Sequence, residues 1–190
     1  MLLTELRATT RPFHDSLESR LNILDPGLSR ERYFHLLRLF YGFYAPIEAR
    51  IDAYGANSHA WVAGDRRKAH LLENDLRSET PSPTAGQLAL CPELPETSTP
   101  AGQLGCMYVL EGATLGGQVV VRQVRPRLGL NGSGTSFFSS YGERVGAMWR
   151  KFCDHLEGLK LSDNDRGQVV ASACATFQSL ERWLCRNGGF

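Results

Sequence analysis

The sequence predicts an all-α fold, a helical bundle formed by a single domain over residues 1–190. Three observations carry that expectation. Apolar residues recur at helical spacing over most of the chain. No window alternates apolar and polar residues between hairpin turns, and the one β-branched run, Val119-Val120-Val121, sits inside a helical pattern. Helix-start and helix-stop residues fall at the segment boundaries. A chain of this length buries about 70% of its unfolded surface, so it needs no metal or disulfide staple to fold.

The first helix is expected from residue 4 to residue 21, with Leu6, Phe13, Leu17 and Leu21 on one face and Asp25-Pro26-Gly27 as the stop. Ser29 reads as the N-cap of a long second helix ending near Tyr54-Gly55. Phe34, Leu37, Phe40, Tyr41, Tyr44 and Ile47 form its apolar side, a stripe best read as core, and Pro46 should kink it. A third, more polar helix is expected over residues 65–77. Residues 80–100 hold Pro81, Pro83, Pro92, Pro95 and Pro100 and read as an ordered connection or a short helix between loops. Thr99-Pro100 opens a fourth helix, with a capping hydroxyl and proline at the first helical position, running to about Arg125-Pro126. Residues 129–134 are expected as a loop and residues 137–156 as a fifth helix. Ser162 with Asp165 resembles a capping box opening a sixth, which ends at Asn187-Gly188-Gly189.

Charge and cysteine usage exclude several functions. Lysine plus arginine is 21 and aspartate plus glutamate is 20, a net +1 that provides no footprint for nucleic acid or an anionic membrane. Cys91, Cys106, Cys153, Cys174 and Cys185 are odd in number and widely spaced, without a CxxC, which argues against a zinc site or a disulfide framework. The N-terminus lacks the apolar core of a signal peptide, and no uninterrupted apolar run approaches 18 residues. The expectation is a cytoplasmic protein that does not span a membrane.

Two constellations are suited to chemistry. Arg7, Arg11 and His14 share one face of the first helix, with Arg7 and His14 about 10 Å apart along it. A neutral imidazole can ligate a metal, and two guanidiniums can grip paired carboxylates. Heme presents that combination; a surface histidine beside two solvated arginines is the plainer reading. The second constellation runs from Tyr108 to Gln118 and contains Gly112, Gly116 and Gly117. Each glycine inside a helix costs about 1 kcal/mol relative to alanine, so three in six residues need a reason. Close approach to a flat ligand is one, and tight helix packing is the other. Nucleotide-loop readings fail for want of GxGxxG after a strand or GK[ST].

Together the two segments resemble the heme oxygenases, above all the small bacterial ones that accompany bacteriophytochromes. The runs are Thr10-Arg-Pro-Phe-His14-Asp-Ser-Leu-Glu18 and Tyr108-Val-Leu-Glu-Gly112-Ala-Thr-Leu-Gly116-Gly117-Gln118, and the likeness extends over nearly the whole chain. The resemblance implies His14 as the axial ligand to heme iron, and Arg7 and Arg11 toward the propionates. It implies Gly112 and Gly116, with Gly117, as the thin distal wall over the heme face. Tyr108 falls at the propionate edge, Arg150 near a later basic position that closes over the propionates, and Phe177 where an aromatic packs by the pocket. The implied fold is a heme oxygenase-like bundle with heme between the proximal N-terminal helix and a glycine-kinked distal helix.

The implied activity is oxidative cleavage of heme, as cofactor and substrate, to biliverdin, carbon monoxide and ferrous iron. The implied external electron donor is a ferredoxin-like protein or a reductase, and an apo-bacteriophytochrome is a possible acceptor of biliverdin. The sequence departs from mammalian-type members at Ala113, where they carry an aspartate. The proton relay must then use other groups, with Gln118 and nearby tyrosines as candidates. Ala113 also keeps open the alternative of a non-catalytic heme carrier or sensor.

Other signals read as structural. His35, His59, His70 and His155 lack a glutamate three residues before them, so no di-iron pattern forms. Cys91-Pro92 in its proline-rich loop is expected to be a chance pair, and Gly132-Ser133-Gly134 lacks the form of a nucleophile elbow. Arg66-Arg67-Lys68 reads as a solvated face or a docking point for an acidic electron donor.

Overall fold

The computed structural model describes residues 1–54, 66–79, 86, 88–130 and 133–188. Gly55, His59, Asp65, Pro81, Pro83, Gly132 and Gly189, which enter the sequence reading, lie outside these residues. All regular elements among the described residues are helical: α1 (Leu2–Leu21), α2 (Arg30–Ala53), α3 (Ala69–Leu76), α4 (Pro100–Gly112), α5 (Thr114–Arg127), α6 (Ser136–Ser139), α7 (Val145–Gly158) and α8 (Asp163–Gly188), with a 3-10 turn at Gly142–Arg144.

The expected caps form. The Ser29 hydroxyl accepts the Arg32 N–H at 3.1 Å, and Thr99 accepts the Gly102 N–H at 3.0 Å. Ser162 accepts from the Asp165 N–H at 3.2 Å while its hydroxyl donates to the Asp165 carboxylate at 2.7 Å. α1 ends at Leu21, as expected, ahead of Asp25-Pro26-Gly27. Asn22 takes a left-handed conformation (φ 37°) and its N–H closes onto the Glu18 carbonyl.

Helix α2 runs on through Pro46. Proline has no N–H to give the carbonyl four residues before it, here Gly42. The Cys91 N–H supplies that bond instead, at 2.8 Å. A side chain on Gly42 would run into the Ala89 carbonyl and come within 2.9 Å of the Trp183 ring. Pro46 and Gly42 thus anchor the strap that carries Cys91-Pro92 to the middle of α2, and Cys91 is buried there.

Helix α4 is the core of the bundle, with residues 101–111 all buried. It lies close against α8 because Gly105 has no side chain. A methyl group there would overlap the Val169 carbonyl and sit 2.8 Å from Cβ of Ser172. The Ser172 hydroxyl donates to the Gly102 carbonyl at 2.6 Å across the same seam. Gly105→Ala is expected to destabilise the protein by about 1–3 kcal/mol, because both neighbours are packed backbone or its immediate Cβ. Urea unfolding of the two proteins checks it. Within Pro100–Arg127 an 18-residue window is apolar enough to cross a membrane by length and composition, with mean hydropathy 1.3, but 67% of that window is buried inside the bundle.

Two expected helices are broken. The fourth turns at Ala113, separating α4 from α5. The fifth divides into α6, the 3-10 turn and α7, with Ser140 at φ 39° and Gly142 at φ 59° in the break. The α6 terminus is held by Asp75 of α3, whose carboxylate accepts the N–H groups of Ser136 (2.6 Å) and Phe137 (2.8 Å). Burial raises the Asp75 pKa, and these N–H bonds act against that rise.

Candidate functional site

A cleft of about 1000 Å³ opens between α1 on one side and α4–α5 on the other. Arg7, Arg11 and His14 line it from α1, as helical spacing requires of residues sharing a face. The His14 side chain is 53% exposed, with its two ring nitrogens each 3.7 Å from a carboxylate oxygen, of Asp15 and of Glu18. The edge of its ring meets Phe177 of α8 at a centroid separation of 6.0 Å and an interplanar angle of 79°. Arg11 reaches only the exposed Asp15, at 3.7 Å, so its guanidinium is largely solvated.

Tyr108, Gly112, Ala113, Gly116 and Gly117 line the opposite wall. A Cβ placed on Gly116 would meet nothing within 4 Å, and one on Gly112 would meet only the Trp149 ring, at 3.6 Å. These two glycines face open space that a flat group could occupy. Gly117 differs. A Cβ there would fall inside the Phe138 carbonyl, so its bareness serves the packing of α5 on α6. Gly117 borders the cleft, yet the pressure for glycine comes from its other side.

Tyr108 is buried against the Trp149 ring, 5.6 Å between centroids. Burial raises its pKa, while the Thr10 hydroxyl and the Arg7 guanidinium pull it down. Arg150 does not join the group: it is exposed on α7 and absent from the cleft walls. Its neighbour Trp149 takes the wall position, stacked on Phe152 at 5.8 Å. Gln118 is also committed elsewhere, its amide donating to the Ser139 carbonyl at 3.2 Å. The core stripe of α2 contributes as well, since Phe40 and Tyr44 close the cleft together with Phe137 and Phe138.

One correction is large. Arg66 and Lys68 are not a solvated face: both are buried beside Glu111 of α4. The Arg66 guanidinium bonds one Glu111 oxygen. The Lys68 ammonium donates to the other oxygen at 2.6 Å, to the Tyr141 hydroxyl at 2.9 Å and to the Arg66 carbonyl at 2.7 Å. The Tyr141 hydroxyl donates to Glu111 at 2.8 Å. Arg67 alone of the run is exposed, paired with Asp52. Nothing local distinguishes the three basic residues in the sequence. A glutamate inside the apolar α4 pattern was the available signal, because a buried carboxylate demands a cation.

The cleft thus sets an imidazole on one wall against bare helix backbone on the other. The heme oxygenase family model matches residues 1–186. A heme oxygenase of Xanthomonas campestris is 33% identical over an alignment covering 63% of this chain and 68% of that protein. The fold is shared with the heme oxygenase of Leptospira interrogans (TM-score 0.82, 19% identity, 97% of this chain and 98% of that one). It is shared too with the Neisseria meningitidis heme oxygenase solved with NO and CO bound (TM-score 0.80, 21% identity, 100% and 93%). The chain belongs to the heme oxygenase family, and with it to the heme-degrading enzymes.

Proposed function

We propose that this protein binds heme in the cleft between α1 and α4–α5 and cleaves it oxidatively to biliverdin, carbon monoxide and ferrous iron. The observation that carries the reading is His14 facing Gly112 and Gly116 across a cleft of about 1000 Å³ in a chain of this family. The residues fit the group. The side-chain-free faces of Gly112 and Gly116 leave a slot, and apolar walls from Phe40, Phe137, Phe138 and Phe177 exclude water beside it.

Each residue then has a task. His14 would hold the iron from the α1 side, its ring steadied by the Phe177 edge. Arg7 and Arg11 grip the propionates as charge-assisted donors. Tyr108 adds a neutral hydroxyl at that edge, kept protonated by burial. Gly112 and Gly116 let backbone lie against the opposite face. Arg150 has no place in this assignment. When bound, the heme supplies the oxygen and redox chemistry, and the protein supplies ligation, orientation and a dry distal wall.

Electrons must come from a second protein, a ferredoxin-like donor or a reductase, because the sequence has no flavin or nicotinamide fingerprint. The reading extends to a cytoplasmic setting, where five free thiols persist, and to an apo-bacteriophytochrome as acceptor of the product. The test is direct. Hemin, a reductant system and oxygen are added and the Soret band is followed. Its replacement by a biliverdin spectrum is the expected result. A heme spectrum that persists through repeated reduction and oxygenation overturns the enzymatic reading and leaves a carrier.

A further inference from the structure

We infer that Lys68 is a fixed cation behind the distal wall of the cleft, and that it sets how tightly small anions bind on that face. The inference rests on the placement of heme in the cleft with His14 on its far side.

The geometry begins with a second, small cavity. It has a volume of about 10 Å³, the size of one water, and is lined by Tyr44, Lys68, Leu110, Ala113, Thr114, Phe137 and Phe138. Tyr44, Ala113, Phe137 and Phe138 also wall the main cleft, so a single layer of side chains separates the two spaces. Lys68 is the only charged residue among those lining the small cavity. Ala113 carries the smallest side chain of the shared wall.

Lys68 is held in place. Its side chain is 2% exposed, and its three ammonium hydrogens are taken by Glu111, Tyr141 and the Arg66 carbonyl. The charged and titratable groups facing it come from four directions. Glu111 lies on α4, Glu48 and Tyr44 on α2, Tyr141 between α6 and α7, and Arg66 two residues before it. Glu48 accepts the Lys68 backbone N–H at 2.6 Å and so is committed to the start of α3. Burial favours the neutral amine, and the charge and hydrogen bond of Glu111 oppose it.

A buried ion pair contributes little to stability over a well-packed apolar substitute. A preorganised charge behind a water-poor wall, by contrast, acts strongly on charge that appears on the other side. Glu111 both fixes the cation and partly cancels it. The sign of the Lys68 removal is therefore set: losing its charge makes the distal face less positive, whereas losing the Glu111 charge removes what holds the buried Lys68 protonated and is no clean test.

The experiment compares wild type, Lys68→Met, Lys68→Gln and Lys68→Arg, each loaded with hemin. Two anion readouts are used, azide affinity of the ferric complex and the pH midpoint of its acid–alkaline spectral transition. Carbon monoxide affinity of the ferrous complex is the neutral control. Lys68→Met is expected to weaken azide about tenfold and raise the midpoint by about one unit. Lys68→Gln is expected to move both readouts in the same direction as Lys68→Met, and Lys68→Arg to stay near wild type. Carbon monoxide affinity should move by less than about twofold throughout.

Tighter azide binding in either neutral variant, a Lys68→Arg shift as large as theirs, carbon monoxide moving with azide, or no shift overturns the inference. Should Lys68→Met fail to fold, Lys68→Gln, whose amide can still donate toward Glu111 and Tyr141, decides alone. A wild-type complex without a histidine-ligated spectrum is a different failure: it removes the placement of heme first, and this inference with it.

Discussion

Replacing His14 with alanine is expected to leave the fold intact and remove the histidine-ligated ferric heme spectrum. The side chain is 53% exposed and its main apolar contact is the edge of Phe177, so unfolding stability should change by no more than about 0.5 kcal/mol. Heme turnover should fall by about a hundredfold or more, since a ring that loses its anchor also loses its register against the distal backbone. Imidazole added to the variant should restore the spectrum, because a small ligand fits the space the side chain vacates. Absorption spectra and single-turnover rates with and without imidazole check both parts. Survival of the wild-type spectrum in the alanine variant would show that another group holds the iron.

Two adjacent glycines should behave in opposite ways. Gly117→Ala pushes a methyl group into the Phe138 carbonyl, and both partners are backbone, so neither can rotate aside. The expected cost is about 2–3 kcal/mol of stability, seen as a Tm lower by roughly 4–12 °C. Gly116→Ala meets no atom within 4 Å and replaces the poorer helix former. It should stabilise the ligand-free protein by up to about 1 kcal/mol. Its methyl group enters the slot, however, and hemin affinity should fall about tenfold, the equivalent of about 1.4 kcal/mol. Thermal unfolding without ligand and hemin titration separate the two effects. A Gly116→Ala variant with unchanged hemin affinity would place the ligand away from α5.

The contrast between Gly116 and Gly117 shows why the site was only partly legible. In sequence the three glycines of this segment look alike, and all three were expected against the heme. Their different duties depend on what lies beside each: open cleft at Gly116, the Trp149 ring at Gly112, and the α6 backbone at Gly117. Arg150 and Trp149 make the same point. One residue along α7 turns a side chain by about 100°, enough to exchange an exposed arginine for a wall-forming indole.

What the sequence determined by itself is the part governed by near neighbours. Helical periodicity, the caps at Ser29, Thr99 and Ser162, and the shared face of Arg7, Arg11 and His14 follow from residues within one or two turns. Tertiary structure decided everything that joins distant segments. Lys68 meets Glu111 across 43 residues, and Tyr141 meets Glu111 across 30. The same holds where Gly42 accepts the bond that Pro46 cannot donate to, from Cys91. It holds also where the fifth helix breaks so that Tyr141 can reach Glu111. A buried carboxylate must find its cation wherever the bundle brings one, and a local pattern carries no address for it.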